Sequence, residues 1–94
     1  MKKNINPQAI EIQKRFFHAL GMAIQDGVIS GVQGFCKEHN LNRVKYQRIK
    51  TALQDPNAGQ LYKIIDLDSL MYICKDYNVS PEWLLLGRGE MRKK

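Results

Sequence analysis

From Asn42 to Thr51 the chain reads Asn-Arg-Val-Lys-Tyr-Gln-Arg-Ile-Lys-Thr. Several of these side chains carry groups that bond to nucleic acid. An Arg donates two bonds to a guanine edge, a Gln pairs with adenine, and a small apolar side chain touches the thymine methyl. Lysines and a helix N-terminus hold phosphates without reading sequence. On a helical wheel of 100° per residue, Tyr46, Ile49 and Leu53 fall within about 60° and make a buried stripe. Val44, Gln47, Arg48 and Thr51 lie opposite, with Arg43, Lys45 and Lys50 on the flanks. A purely structural helix would place Glu beside Lys for mutual support, yet no acid occurs between Asn40 and Gln54. The chemistry expected of this segment is readout of duplex DNA. Arg48, Val44 and Gln47 serve base edges, Arg43 a base or a phosphate, and Asn42, Lys45 and Lys50 the backbone, with Thr51 on the same exposed face.

Other chemistries find little purchase. Cys36 and Cys74 are the two cysteines, with no Cys-x-x-Cys and no Cys or His at metal-ligand spacing, so both read as small buried apolar residues. His18 has no partner at ligand spacing and reads as surface or packing. His39, beside a turn, reads as structural or phosphate-adjacent. Asp66 and Asp68 read as helix capping and dipole compensation. Gly87-Arg88-Gly89-Glu90 lacks the third Gly, the preceding strand and the following helix of a dinucleotide loop, and is expected to be a chain-ending turn. No nucleophile sits beside a base at motif spacing. The expectation is a protein that is not an enzyme and has no cofactor and no metal.

Composition agrees with a binding protein. The 94 residues fit one domain, and 44% hydrophobic with 26% charged residues is ordinary for a globular chain. The net charge of +6 is concentrated in residues 1–50, which carry nine bases and three acids, whereas residues 51–94 carry six of each. That asymmetry favours a polyanionic partner. No apolar stretch approaches the roughly 18 residues of a membrane span, and Asn4 to Arg15 offers no apolar signal region. A cytoplasmic location without membrane contact is expected.

Positioning a helix at 43–53 requires a particular set of elements. Asn6-Pro7 opens a first helix, with Asn as cap and Pro at the first position. Its apolar face, from Ile10 through Phe16, Phe17, Leu20, Ala23 and Ile24, continues to Asp26-Gly27, where Gly suits a left-handed stop. Ser30-Gly31-Val32-Gln33 fits a capping box, predicting a short second helix from Ser30 or Gly31 with Phe35 and Cys36 inward. Asn40 ends it, and Asn42 caps the third helix about three residues on, so the two must cross at a large angle. Downstream, Asp66 caps a helix whose Leu67, Leu70, Met71, Cys74 and Tyr77 hold helical spacing. Ser80-Pro81-Glu82 then opens a last helix bearing Trp83, Leu84 and Leu85, read as core or dimer interface. Asp55-Pro56-Asn57-Ala58-Gly59 is a turn, and Gln60–Ile65 is a short strand, an extra helical turn or a dimer contact.

The segment Ser30–Lys50 resembles the helix-turn-helix of the phage-repressor-like, or XRE, family of DNA-binding proteins. The likeness runs from about Phe16 to Gly89, through a fourth helix and the Val79-Ser80 start of a fifth with Trp83 before Leu84-Leu85. It implies an all-α, lambda-repressor-like bundle of about five helices in one domain spanning 1–94. The helix-turn-helix occupies about 30–53 and a short basic tail about 88–94. The resemblance further implies core positions at Phe35 and Cys36, the turn residue at Asn40 and a recognition-helix cap at Asn42. Packing positions fall on Tyr46 and Ile49, and base-reading positions on Arg43, Val44 and Arg48. Three features depart from the family. Val32 stands where a polar phosphate-gripping residue is usual, leaving that task to Ser30 or Gln33. Gly34 lies inside the short second helix, where it would admit a neighbouring helix or the DNA backbone. The stretch 51–65 is longer than usual.

Since one such helix reads only a few base pairs, useful specificity calls for a homodimer on half-sites about one helical turn apart. The expected function is sequence-specific double-stranded DNA binding in transcription regulation, as a repressor or other regulator. The rival expectation is an antitoxin-like or phage-encoded module whose main ligand is a protein partner, exposing an apolar patch and binding DNA weakly. RNA is disfavoured because the exposed face lacks aromatic stacking platforms.

Overall fold

The computed structural model describes residues 6–55 and 63–93. Residues 56–59 of the proposed turn and 60–62 of the undecided 60–65 stretch lie outside the described residues, as does Lys94 of the basic tail; 63–65 are neither helix nor strand. Among the described residues five helices follow in order: α1 (Pro7–Gln25), α2 (Val32–Glu38), α3 (Arg43–Gln54), α4 (Leu67–Tyr77) and α5 (Pro81–Leu86). Among the described residues there is no strand, and one isolated antiparallel bridge pairs Val79 with Arg92. The fold is an all-α bundle in which α1 packs against α3, α4 and α5, while α2 packs on α3.

Local chemistry accounts for the helix limits. The Asn6 side chain accepts from the Gln8 amide at 2.8 Å, with Pro7 just inside the helix. Asn42 accepts from the Lys45 amide at 3.1 Å, and Ser80 caps α5 ahead of Pro81. Left-handed backbone at Gly27, Asn40, Asn78 and Gly87 breaks the chain after α1, α2, α4 and α5, as expected where the last carbonyls must be met by a reversal. Two caps differ from expectation. Gly31, not Ser30, is the N-cap of α2, and no side chain caps it, so the Ser30/Gln33 capping box does not form. Ser30 instead lies over Gly34, whose missing Cβ would stand 2.0 Å from the Ser30 hydroxyl. The room at Gly34 therefore serves its own helix entry. At α4 the Asp66 carboxylate makes no cap bond; it is engaged elsewhere.

The core is built on aromatic side chains of α1, α2 and α3. Phe16 meets Phe17, Phe35 and Tyr46 edge to face, with ring centroids 5.0, 5.8 and 6.2 Å apart. Burial of each such ring contributes about 1.5–3 kcal/mol. Leu20, Ala23, Cys36, Ile49, Ile73, Val79 and Leu84 are among the other buried residues of the core. The buried face of α4 is rotated from the expected one: Ser69, Ile73 and Tyr77 are buried, Leu70 and Cys74 are half-buried, and Leu67 (85% exposed) and Met71 (47%) face outward. In α5, Leu84 is buried and Trp83 half-buried, but Leu85 is exposed. Cys74 is likewise only partly enclosed, unlike Cys36.

The described residues of the basic tail, 88–93, pack back onto the preceding helices. After left-handed Gly87 and Gly89, the Ser80 amide donates to the Met91 carbonyl at 2.7 Å and the Lys93 amide to the Asn78 carbonyl at 3.0 Å. Arg92 lies over the Tyr77 ring and donates from Nε to the Tyr77 carbonyl. The tail is thereby folded back against the α4–α5 junction.

Candidate nucleic-acid interface

The α3 helix is fixed from its inner side. Tyr46 and Ile49 are fully buried against α1 and α2, and Leu53 is half-buried. Pinning that stripe turns the opposite side to solvent, where Arg43, Val44, Gln47, Arg48 and Thr51 are exposed. Val44 leaves 51% of its surface to water, a bare apolar group among hydrogen-bonding ones. Among the described residues, neither Arg43 nor Arg48 takes part in an ion pair, so both guanidinium forks are available to an external anion or base edge.

The remaining sequence-derived positions are more committed. The Asn42 side-chain oxygen is occupied as the helix cap, although the residue is exposed. Lys45 reaches inward: its Nζ lies 3.2 Å from Asp66 Oδ1, and the side chain is only 24% exposed. Lys50 is half-buried and lines a cleft between α1 and α3 with Phe17, Met22 and Leu53, next to Lys14 and His18. Its charge thus sits at the edge of the exposed face.

Behind α3 lies a polar junction with no local signature in the sequence. The Tyr46 hydroxyl donates to Asp66 Oδ2 at 2.7 Å and accepts from the Asp66 amide at 3.0 Å. The hydrogen bond from Tyr46, aided by Lys45, holds the Asp66 carboxyl below the usual carboxylate range against the opposing effect of its partial burial. Burial pushes the Tyr46 phenol well above its ordinary value, so it remains a donor. One residue earlier, the Ile65 amide donates to Gln13 Oε1 at 2.9 Å, and Gln13 Nε2 donates to the Ala9 carbonyl at 3.3 Å. Gln13 is 2% exposed. Its place on the rows of Phe16, Phe17 and Leu20 was the available sign that it points inward.

Several basic residues of the first half have structural partners instead. Arg15 donates from Nε to the Leu84 carbonyl at 2.9 Å and from its terminal nitrogen to the Leu85 carbonyl at 3.2 Å, covering the C-terminal end of α5. Lys14 pairs with Glu11 at 3.5 Å. At the other end of α1, Tyr77 donates its hydroxyl to the Asp26 carboxylate; that bond, with burial, raises the Tyr77 phenol above its ordinary value.

His18 is exposed, with its ring 6.2 Å from Trp83. His39 is stacked on Tyr72, with ring planes 6° apart and centroids 4.0 Å apart, and its Nε2 meets Asp76 Oδ2 at 2.6 Å. No helix among the described residues is long and apolar enough to cross a membrane. No family model, curated protein or solved structure matches this chain.

Proposed function

We propose that this protein binds double-stranded DNA sequence-specifically, with α3 as the recognition helix of a helix-turn-helix of the phage-repressor-like kind, and regulates transcription as a homodimer. The observation that carries this reading is the outward face of α3. It presents Arg43, Val44, Gln47, Arg48 and Thr51 together, free of any acid, while Tyr46 and Ile49 anchor the other side. A major groove admits one helix and offers acceptors, donors and methyl groups to those side-chain types. The short α2 and the left-handed Asn40 before α3 supply the connection such a motif needs, and the net charge of +6 supports attraction to a polyanion.

Arg48, Val44 and Gln47 contact base edges in this reading. Arg43 lies in the first turn, where it meets a base or a phosphate, and the Asn42 amide and Lys50 approach the backbone. Lys45 contributes to the local potential more than as a direct contact, because Asp66 holds its ammonium. Two protomers on half-sites about one helical turn apart supply the required specificity.

Selection of duplexes from a random pool at near-physiological salt tests the proposal, since weak binding of a basic protein to any DNA proves little. The expected outcome is an inverted-repeat consensus. Absence of any consensus with folded protein favours a protein-interaction module instead. One observation supports that second reading: Leu67 and Met71 lie one turn apart on α4 and are both exposed, an apolar pair that a partner protein would cover.

A further inference from the structure

The C-terminal ends of α2 and α4 meet at Glu38, His39 and Asp76. One ligand-type atom of each residue lies within 4.8 Å of the others. The imidazole is held on several sides. Tyr72 stacks on it with ring centroids 4.0 Å apart, Phe35 meets it in a T-shaped arrangement with centroids 4.8 Å apart, and Asp76, one turn beyond Tyr72 on α4, meets Nε2 at 2.6 Å. The His39 side chain is 12% exposed and that of Asp76 24%, while Glu38 lies open to solvent.

Both carboxylates stand where their own helices disfavour them. Glu38 is the last residue of α2 and Asp76 lies in the last turn of α4, where the helix dipole presents partial negative charge. Among the described residues neither is paired with a lysine or arginine. Two carboxylates and an oriented imidazole nitrogen therefore lie within 4.8 Å of one another at the ends of two helices, where a bound cation would offset the shared negative potential.

We propose that Glu38, His39 and Asp76 form a binding site for a divalent transition-metal ion of the zinc class. One nitrogen and two carboxylate oxygens are a donor set that zinc accepts, at about 2.0–2.2 Å per bond, with water completing a tetrahedron. In that arrangement ligand atoms stand about 3.3 Å apart, so Nε2 and Oδ2 separate slightly and the exposed Glu38 side chain swings inward. The metal takes the Nε2 lone pair. A proton on Nε2 of the neutral ring moves to Nδ1, and a doubly protonated ring releases one proton to solvent. The occupied site cross-links the end of α2, and with it the turn leading to α3, to α4. The proposal stands apart from the DNA-binding reading and is tested without DNA.

The test is calorimetric titration of the full chain with Zn²⁺ in metal-free buffer, repeated with Co²⁺ to record its absorption. One ion per chain is expected, with weak d–d bands of nitrogen and oxygen ligation and a rise in Tm on zinc addition. Glu38→Gln and His39→Gln should each weaken binding about tenfold or more and abolish the Tm rise. Glu38 is exposed, so E38Q keeps the fold even if the histidine variant does not. Parent-like affinity in E38Q, a cobalt–thiolate charge-transfer band from Cys36 or Cys74, or no heat with millimolar zinc would each overturn the assignment.

Discussion

Tyr46 and Asp66 exchange two hydrogen bonds: the phenol donates to the carboxylate at 2.7 Å and accepts from the Asp66 amide at 3.0 Å. This junction ties the inner side of the proposed recognition helix to the start of α4, and Lys45 joins it from the neighbouring position on α3. Removing the hydroxyl leaves an amide and a carboxylate short of a partner in a partly enclosed place. Tyr46→Phe should lower stability by about 1–3 kcal/mol, read as a lower urea midpoint with unchanged slope. Asp66→Asn should cost less, because its amide still meets the phenol, and the double variant should fall short of the sum.

The same junction sets an acid limit. The folded Asp66 carboxyl is held below its ordinary value, first by the Tyr46 hydrogen bond and then by Lys45. A depressed carboxyl contributes stability that is fully present above the unfolded value, about 3.9, and is lost as pH falls through the lower folded value. Urea unfolding followed downward from about pH 6 should therefore show a decline beginning near pH 4. That decline should be shallower in Asp66→Asn, and an identical pH profile in the variant would remove Asp66 from the account.

Arg15 and Arg48 are both cations of the basic half, yet they should behave oppositely. Arg15→Ala removes two bonds to the end of α5 and should cost about 1–3 kcal/mol of stability, with no change in preferred DNA sequence.

Arg48→Ala should leave stability within about 0.5 kcal/mol, weaken the preferred site by about 1–3 kcal/mol and flatten preference at one base position. Lys50→Ala should weaken all sequences alike and reduce the salt slope by about one. Binding isotherms on selected and scrambled duplexes separate these outcomes, and equal loss on both duplexes for Arg48→Ala would show that this face does not read bases.

Asn40 holds φ of +57° in the connection between α2 and α3. Left-handed backbone costs a residue with an ordinary Cβ about 1–2 kcal/mol, and Asn tolerates it better than Ala does. Asn40→Ala should therefore lower Tm, whereas Asn40→Gly should hold or raise it; equal Tm values for the two would contradict the left-handed turn.

What was legible in the residues alone was local. The caps Asn6, Asn42 and Ser80, the stops at Gly27 and Asn40, and the buried stripe of Tyr46 and Ile49 all follow from bonds between near neighbours or from a 3.6-residue period. Sequence spacing is enough to specify such features. The capping box at Ser30 failed because the same hydroxyl could sit over Gly34, a choice that a pattern of residue types does not rank. The exposed face of α3 was readable for a related reason: once the inner stripe is known, the opposite side of a helix is fixed.

Tertiary packing decided the rest. The rotation of α4, which buries Ser69 and Ile73 and leaves Leu67 and Met71 outside, depends on which side α1 occupies; Leu67, Leu70, Met71 and Cys74 keep helical spacing whether or not anything covers them. Gln13 meets Ile65 across 52 residues, Tyr46 meets Asp66 across 20, and Arg92 meets Tyr77 across 15. Lys45 and Arg15 look like surface cations until Asp66 and the end of α5 are placed beside them. A hydrogen bond between residues so far apart leaves no periodicity behind, since its energy depends on where two elements dock and not on the order in which their residues are joined.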